Sequence, residues 1–338
     1  RVLGFQCTPS TSTTTTVTTS TLFGTAHEDL YGAIHRKEYE MEQLKRQHAN
    51  PSDPLQMALG YVQEYPENYE ELNALKPQNT RLRMAKAFRR IYDYAEEEEV
   101  PETEDADGVT TGGKLTSDMM RRGSLTVDVK RKSLSSGEYN FANFPSASMV
   151  AEAMVNLGAD AVFINIDPNY GGDPEELKTA VKAIRKLSTT AAVIMKDIVV
   201  DEIQLAMAKE AGCDGVLLIA SVLGPALPQF LDTATVMGLE TLVEVHTRTE
   251  VTMALEHLAQ NLLVTNYDRV SGQYFDTQAE NLAGMFPGNG PIVSLATGGI
   301  ESPAKVRELL CAGYDGVVVG RAIMGNARAS EFIKAVRD

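Results

Sequence analysis

Three times this chain closes a helical stretch on glycine and enters an apolar run through aspartate, and no other feature limits the fold so tightly. The junctions are LGADAV (Leu157–Val162), AGCDGV (Ala211–Val216) and AGYDGV (Ala312–Val317). A glycine just past a helix supplies the left-handed backbone that ends it. Gly158, Gly212 and Gly313 lie 54 and 101 residues apart, gaps that two and four βα units of about 25–27 residues would fill. The runs TVDVK, DAVFINI, AAVIMK, GVLLIA, TLVEV, LLVTN, PIVSLA and GVVVG lack the polar-out alternation of a half-exposed sheet. They predict parallel strands buried on both faces. Between them lie helices with explicit start signals. Asp173-Pro174-Glu175-Glu176 combines an N-cap, a first-turn proline and acids on the helix dipole, ahead of Leu177, Val181 and Ile184. Ser302-Pro303 repeats that logic before Val306, Leu309 and Leu310. Eight such units in residues 124–338 predict an α/β fold, a (β/α)8 TIM barrel. A doubly wound open sheet is the competitor, but it calls for a Gly-rich nucleotide turn after its first strand, and none is present.

Ahead of the barrel the sequence predicts a Ser/Thr-rich leader over residues 1–25 and a helical extension over 26–123. Glu28–Gln47 places Leu30, Ile34, Met41 and Leu44 near helical spacing, Pro51 and Pro54 end that helix, and Leu55–Gln63 starts a shorter one. Arg81–Tyr94 is a third helix, basic and amphipathic. An acidic linker follows over 96–113; its part Glu96–Asp107 holds eight acids and no base. That linker or the extension is where a protein partner is expected to bind. The leader, which opens at Arg1 rather than Met, reads equally as the end of an organelle-targeting segment or as a plain disordered stretch. A plastid stroma is the expected compartment, with the cytoplasm as the alternative.

Composition narrows the partners. A net charge of −15, from 31 basic and 46 acidic residues, argues against nucleic acid and anionic membranes. The longest uncharged stretch, Gly215–Leu231, contains Pro225, Pro228 and Gln229 and falls short of the roughly 20 apolar residues of a membrane span. Cys7, Cys213 and Cys311 have no metal-ligand spacing, so neither a disulfide framework nor a metal site is expected.

Barrel chemistry sits at the C-terminal ends of the strands, and phosphate commonly sits near the loops after strands seven and eight. Lys196 interrupts the third apolar run, and Glu244 lies between Val243 and Val245 in the fifth. An idle buried charge at either place is costly. Lys130 shares a strand face with Asp128, which suits a lysine–carboxylate pair. Asn266 ends strand six, and His246 reads as a loop residue. Gly298, Gly299 and Gly320 let backbone N–H groups approach an anion, and Arg321 adds charge. Two lysines, a glutamate and a phosphate cradle point to cofactor-free acid–base chemistry on a sugar phosphate. A Schiff-base aldolase stays open, because a buried lysine is nucleophilic when its pKa is lowered.

These residues resemble the indole-3-glycerol phosphate synthase family throughout 124–338, and more weakly in the first helix. The family's first-strand motif corresponds to Asp128-Val-Lys130-Arg-Lys-Ser133-Leu134-Ser135, its third-strand motif to Lys196-Asp197-Ile198, its fifth to LVEVH through Glu244 and His246, and its sixth-strand asparagine to Asn266. The resemblance implies ring closure of 1-(2-carboxyphenylamino)-1-deoxyribulose 5-phosphate with loss of CO2 and water, without a cofactor. It implies Lys196 as general acid at the ketone, and Lys130 on the anthranilate carboxylate with Asp128 orienting it. Glu244 would stabilise the cationic nitrogen and act as base, and Asn266 would position sugar hydroxyls. Ser133, Gly298, Gly299, Gly320 and Arg321 would bind substrate or phosphate. Departures occur at Asp128 (Glu in the family), at Leu134 (Pro), at Tyr267-Asp268-Arg269, where the arginine moves by one, and at Thr297-Gly298, where a glutamate and serine are lost. They keep a second reading open, a synthase-derived barrel serving as a structural or regulatory subunit of a larger complex. A different phosphate-binding barrel activity is a third.

Overall fold

The computed structural model describes residues 29–64, 83–89, 123–129, 132–133, 137–138, 146–286, 292–324 and 329–337. The leader 1–25 and the acidic linker 96–113 lie outside the described residues. Eight parallel strands close into a barrel: β1 Ser124–Val129, β2 Ala161–Asn165, β3 Ala192–Lys196, β4 Gly215–Ile219, β5 Glu240–Val245, β6 Asn261–Thr265, β7 Val293–Thr297 and β8 Gly316–Val319. Each strand neighbours the next, and β8 pairs with β1 from Ser124↔Gly316 to Val127↔Val319. This is the predicted (β/α)8 barrel.

The repeated junction has a physical job beyond ending helices. Gly158, Gly212 and Gly313 have φ of 111°, 82° and 109°, backbone that residues with a Cβ adopt at a cost. The aspartate two residues on then ties its own strand to the one before. Asp160 accepts from Leu125 N–H at 2.8 Å, Asp214 from Val193 N–H at 2.7 Å and Asp315 from Ser294 N–H at 2.8 Å. Each carboxylate therefore satisfies a backbone donor at the N-terminal end of the barrel, where the strands begin.

The predicted caps form as read. Asp173 accepts from Glu175 N–H and Ser302 from Lys305 N–H at the starts of Pro174–Leu187 and Pro303–Cys311. The extension wraps both ends of the barrel. Helix α1 (Leu30–Gln47), capped by Asp29, lies against the C-terminal ends of β2 and β3, where Arg36 and Lys37 reach Asp167 and Asp197. Helix α2 (Pro54–Glu64) begins at Pro54 rather than Leu55, because Asp53 accepts from Leu55 N–H and a first-turn proline has no N–H to lose. Helix α3 (Arg83–Arg89), part of the predicted Arg81–Tyr94 segment, sits at the opposite end. Its Met84, Ala87 and Phe88 join Phe163, Ile194, Leu217, Leu242, Leu263 and Leu295 in one apolar cluster inside the barrel. Glu240, at the start of β5, accepts from Met84 N–H at 2.7 Å and Ala85 N–H at 2.9 Å. A second, larger apolar layer fills the space between strands and outer helices.

Candidate active site

A single cavity at the C-terminal end of the strands is lined by Asp128, Lys196, Glu244, Arg269, Gly298, Gly299, Gly320 and Arg321. Lys196 is the last residue of β3. Its ammonium bonds Asp128 Oδ2 at 2.7 Å and stands 5.6 Å from the centroid of the Phe163 ring, a placement that favours the cation. The shorter Asp128 side chain thus still spans the gap to Lys196. Gly320 borders that corner, where a Cβ would make an ordinary contact of 3.4 Å with Asp128 Oδ2.

Across the cavity Glu244 is 4% exposed and takes a two-pronged bond from Arg269, Nε to Oε1 at 2.6 Å and Nη2 to Oε2 at 3.0 Å. Burial pushes the Glu244 carboxyl up, but Arg269 and, less strongly, Lys196 outweigh it and hold it below its ordinary value. Burial likewise works against the Arg269 charge, and Glu244 more than restores it. Both groups are therefore ionised at neutral pH. The shifted arginine is thus no loss: one residue later in the loop, it still reaches the strand-five carboxylate. The acid in its former place, Asp268, turns to its own loop and accepts from Val270 N–H at 2.9 Å and the Ser271 hydroxyl at 2.6 Å.

Other predicted residues stand differently. Asn266 is fully buried, and its amide is spent on backbone: Nδ2 donates to Asp276 O and Gly298 O, while Oδ1 accepts from Ala279 N–H. It pins the strand-six loop to the strand-seven turn instead of facing the cavity. Its amide thus bonds backbone, where the resemblance implied sugar hydroxyls. His246, in the loop directly after β5 as read, is buried, and its Nδ1–H donates to Thr265 O at 2.8 Å. The Thr297 hydroxyl donates to Val318 O at 3.0 Å. Gly298 and Gly299 turn with φ of 92° and 67°. Arg321 is half-exposed, its guanidinium 3.9 Å from Glu301. Lys130 lies outside the described residues. Ser133 belongs to a two-residue strand paired with Gly137.

A family model described as indole-3-glycerol phosphate synthase matches residues 105–336. The chain belongs to the indole-3-glycerol phosphate synthase family. Proteins named indole-3-glycerol phosphate synthase from Thermoanaerobacter pseudethanolicus and Opitutus terrae are 29% and 33% identical to it, over 63% and 62% of this chain and 81% and 79% of theirs. That of Chloroherpeton thalassium is 28% identical over 78% of this chain and 94% of its own.

Within this family member, sequence reasoning passed over an ion cluster beside the lysine. Lys37 is 2% exposed and bonds Asp197 Oδ1 at 2.8 Å and Glu40 at 3.0 Å, with Asp167 3.7 Å away. Arg36 grips Asp167 through both terminal nitrogens, at 3.3 and 3.0 Å. Burial pushes the Lys37 ammonium down, and the carboxylates of Asp197 and Asp167 reverse this, leaving it above its ordinary value. The signal was present. Lys37 falls midway between Ala33 and Met41 at four-residue spacing, so it lies on the helix face that is buried.

Proposed function

We propose that this chain closes the indole ring of 1-(2-carboxyphenylamino)-1-deoxyribulose 5-phosphate, with loss of CO2 and water, in tryptophan biosynthesis. One observation carries the reading: a Lys196–Asp128 pair and a Glu244–Arg269 pair face one cavity whose far wall is the Gly298–Gly299 turn. The ring carbon attacks the ketone carbon, and Lys196 gives its proton to the ketone oxygen as that oxygen gains charge. Asp128 keeps the ammonium aimed and charged before the step. The bond to the ring carboxylate then breaks as CO2 leaves and aromaticity returns. The new hydroxyl takes a proton, the part given to Lys130, and departs as water, while the methylene between nitrogen and that carbon gives up a proton to the now neutral Lys196 amine and the indole double bond forms. A carboxylate clamped by arginine is a weak base and a strong electrostatic partner. Glu244 therefore acts mainly by stabilising positive charge on the nitrogen. The phosphate end rests against Gly298, Gly299 and Gly320, with Arg321 beside it.

The assay is the rise of indole fluorescence on adding the substrate to purified protein. A Lys196→Ala variant should lose on the order of 10²–10⁴ in kcat. Wild-type turnover no faster than that of Lys196→Ala would overturn the reading. Nothing in the geometry favours a purely structural subunit, because both charged pairs are assembled around open space.

A further inference from the structure

The loop after β6 folds back on itself. Tyr267 and Tyr274 form an antiparallel bridge, Asp268 N–H donates to Gln273 O at 2.9 Å, and Phe275 N–H donates to Asn266 O at 2.8 Å. Asn266 fastens this hairpin to the Gly298 carbonyl at 3.2 Å. The fold-back carries Tyr274 across to the strand-seven turn, where its hydroxyl rests on the α-carbon of Gly299. A Cβ built on Gly299 would fall inside that hydroxyl. The Tyr274 ring lines the cavity and is 49% exposed, so it stands at the rim rather than in the core. Among the described residues its hydroxyl has no hydrogen-bond partner.

Among the described residues, this wall of the cavity is short of positive charge. Arg321 is half-exposed, and Glu301, an acid, shares the same rim. A phosphate dianion presents three acceptor oxygens, and neutral donors add to what cations supply. A phenol fixed against the turn is such a donor, and its bond to an ionised oxygen is of the stronger, charge-assisted kind.

We infer that Tyr274 is a specificity-determining residue, whose hydroxyl donates a hydrogen bond to the substrate phosphate seated on Gly298–Gly299 and Gly320. The inference rests on the synthase reading for where the phosphate lies, and adds that the strand-six hairpin clasps it. Tyr267, on the other side of the bridge, also lines the cavity.

The test compares two non-cyclising ligands by calorimetry on wild type and Tyr274→Phe: the reduced substrate analogue, and the same analogue without its phosphate. Wild type should prefer the phosphorylated form. Tyr274→Phe should weaken binding of that form by about tenfold or more and leave the dephosphorylated form unchanged. Inhibition by inorganic phosphate should weaken in parallel. Equal losses on both analogues, or none on either, would overturn the role of Tyr274 while leaving the synthase reading intact. If wild type binds neither analogue and turns over no substrate, both fall together.

Discussion

Removing the Lys37 ammonium is the sharpest probe of how the extension serves the barrel. Lys37→Met keeps most of the apolar stem and deletes the charge. Asp197, 6% exposed, then loses its bond at 2.8 Å, while Asp167 keeps both prongs of Arg36. Deleting one member of a buried pair typically costs about 3–5 kcal/mol, because the other charge is left without a partner. Asp197 still accepts from Gln204 Nε2 at 2.8 Å and from Ile198 N–H at 2.8 Å, which places the loss near the lower end, about 3 kcal/mol. The Lys37 ammonium titrates above its ordinary 10.5 in the folded chain. Its contribution is therefore full below that pH and fades only in more alkaline solution. Urea unfolding of Lys37→Met, Asp197→Asn and the double variant forms a cycle that isolates the pair. The double variant should be less destabilised than the sum of the singles, and Lys37→Arg should recover part of the loss. A single-variant cost below about 1 kcal/mol, or strict additivity, would refute a desolvated pair. Because Asp197 follows Lys196, Lys37→Met should also lower kcat more than it raises KM.

Other expectations follow from the same contacts. Arg269→Ala leaves Glu244 buried and unpaired, so the carboxyl pKa rises. The acidic limb of the pH–rate profile should then move to higher pH, and an unmoved limb would argue against Glu244 acting as a carboxylate. Gly299→Ala must hold an alanine at φ 67° against the Tyr274 hydroxyl, at about 1 kcal/mol or more. Its inhibition by inorganic phosphate should weaken beyond that of wild type. Phe88→Ala empties a fully buried site in the barrel plug and should cost about 3–5 kcal/mol in urea unfolding. Burial pushes the Glu240 carboxyl from its ordinary 4.5 to about 8, against the Ala85 and Met84 N–H bonds. The folded chain holds that proton more tightly than the unfolded one, so this group's contribution is fullest below 4.5 and is lost as pH rises through 8. Tm followed over that window should fall less in Glu240→Gln than in wild type.

The barrel was legible because its information is local and periodic. Helix caps at Asp173 and Ser302, glycines at Gly158, Gly212 and Gly313, and unbroken β-branched runs each act within a few residues. The charged residues Lys196 and Glu244 were legible for a related reason: a charge inside an apolar strand is costly anywhere, so its presence alone marks the position. What those charges meet is settled by chain brought together from far away. Arg269 lies 25 residues from Glu244, Asp128 68 from Lys196, and Arg36 131 from Asp167. Read linearly, the strand-six change moved the arginine by one residue and put an acid in its place. In three dimensions the long guanidinium absorbs a one-residue shift. For Asn266, composition cannot say whether an amide at a strand end turns to the cavity or to the backbone of its own loop. Sequence alone determined the architecture and the identities of the central charges, because both are written in short-range patterning and burial cost. Only the tertiary structure decided the pairings, the plug at one end and α1 at the other, because closing a barrel brings together groups whose separation along the chain carries no trace of the contact.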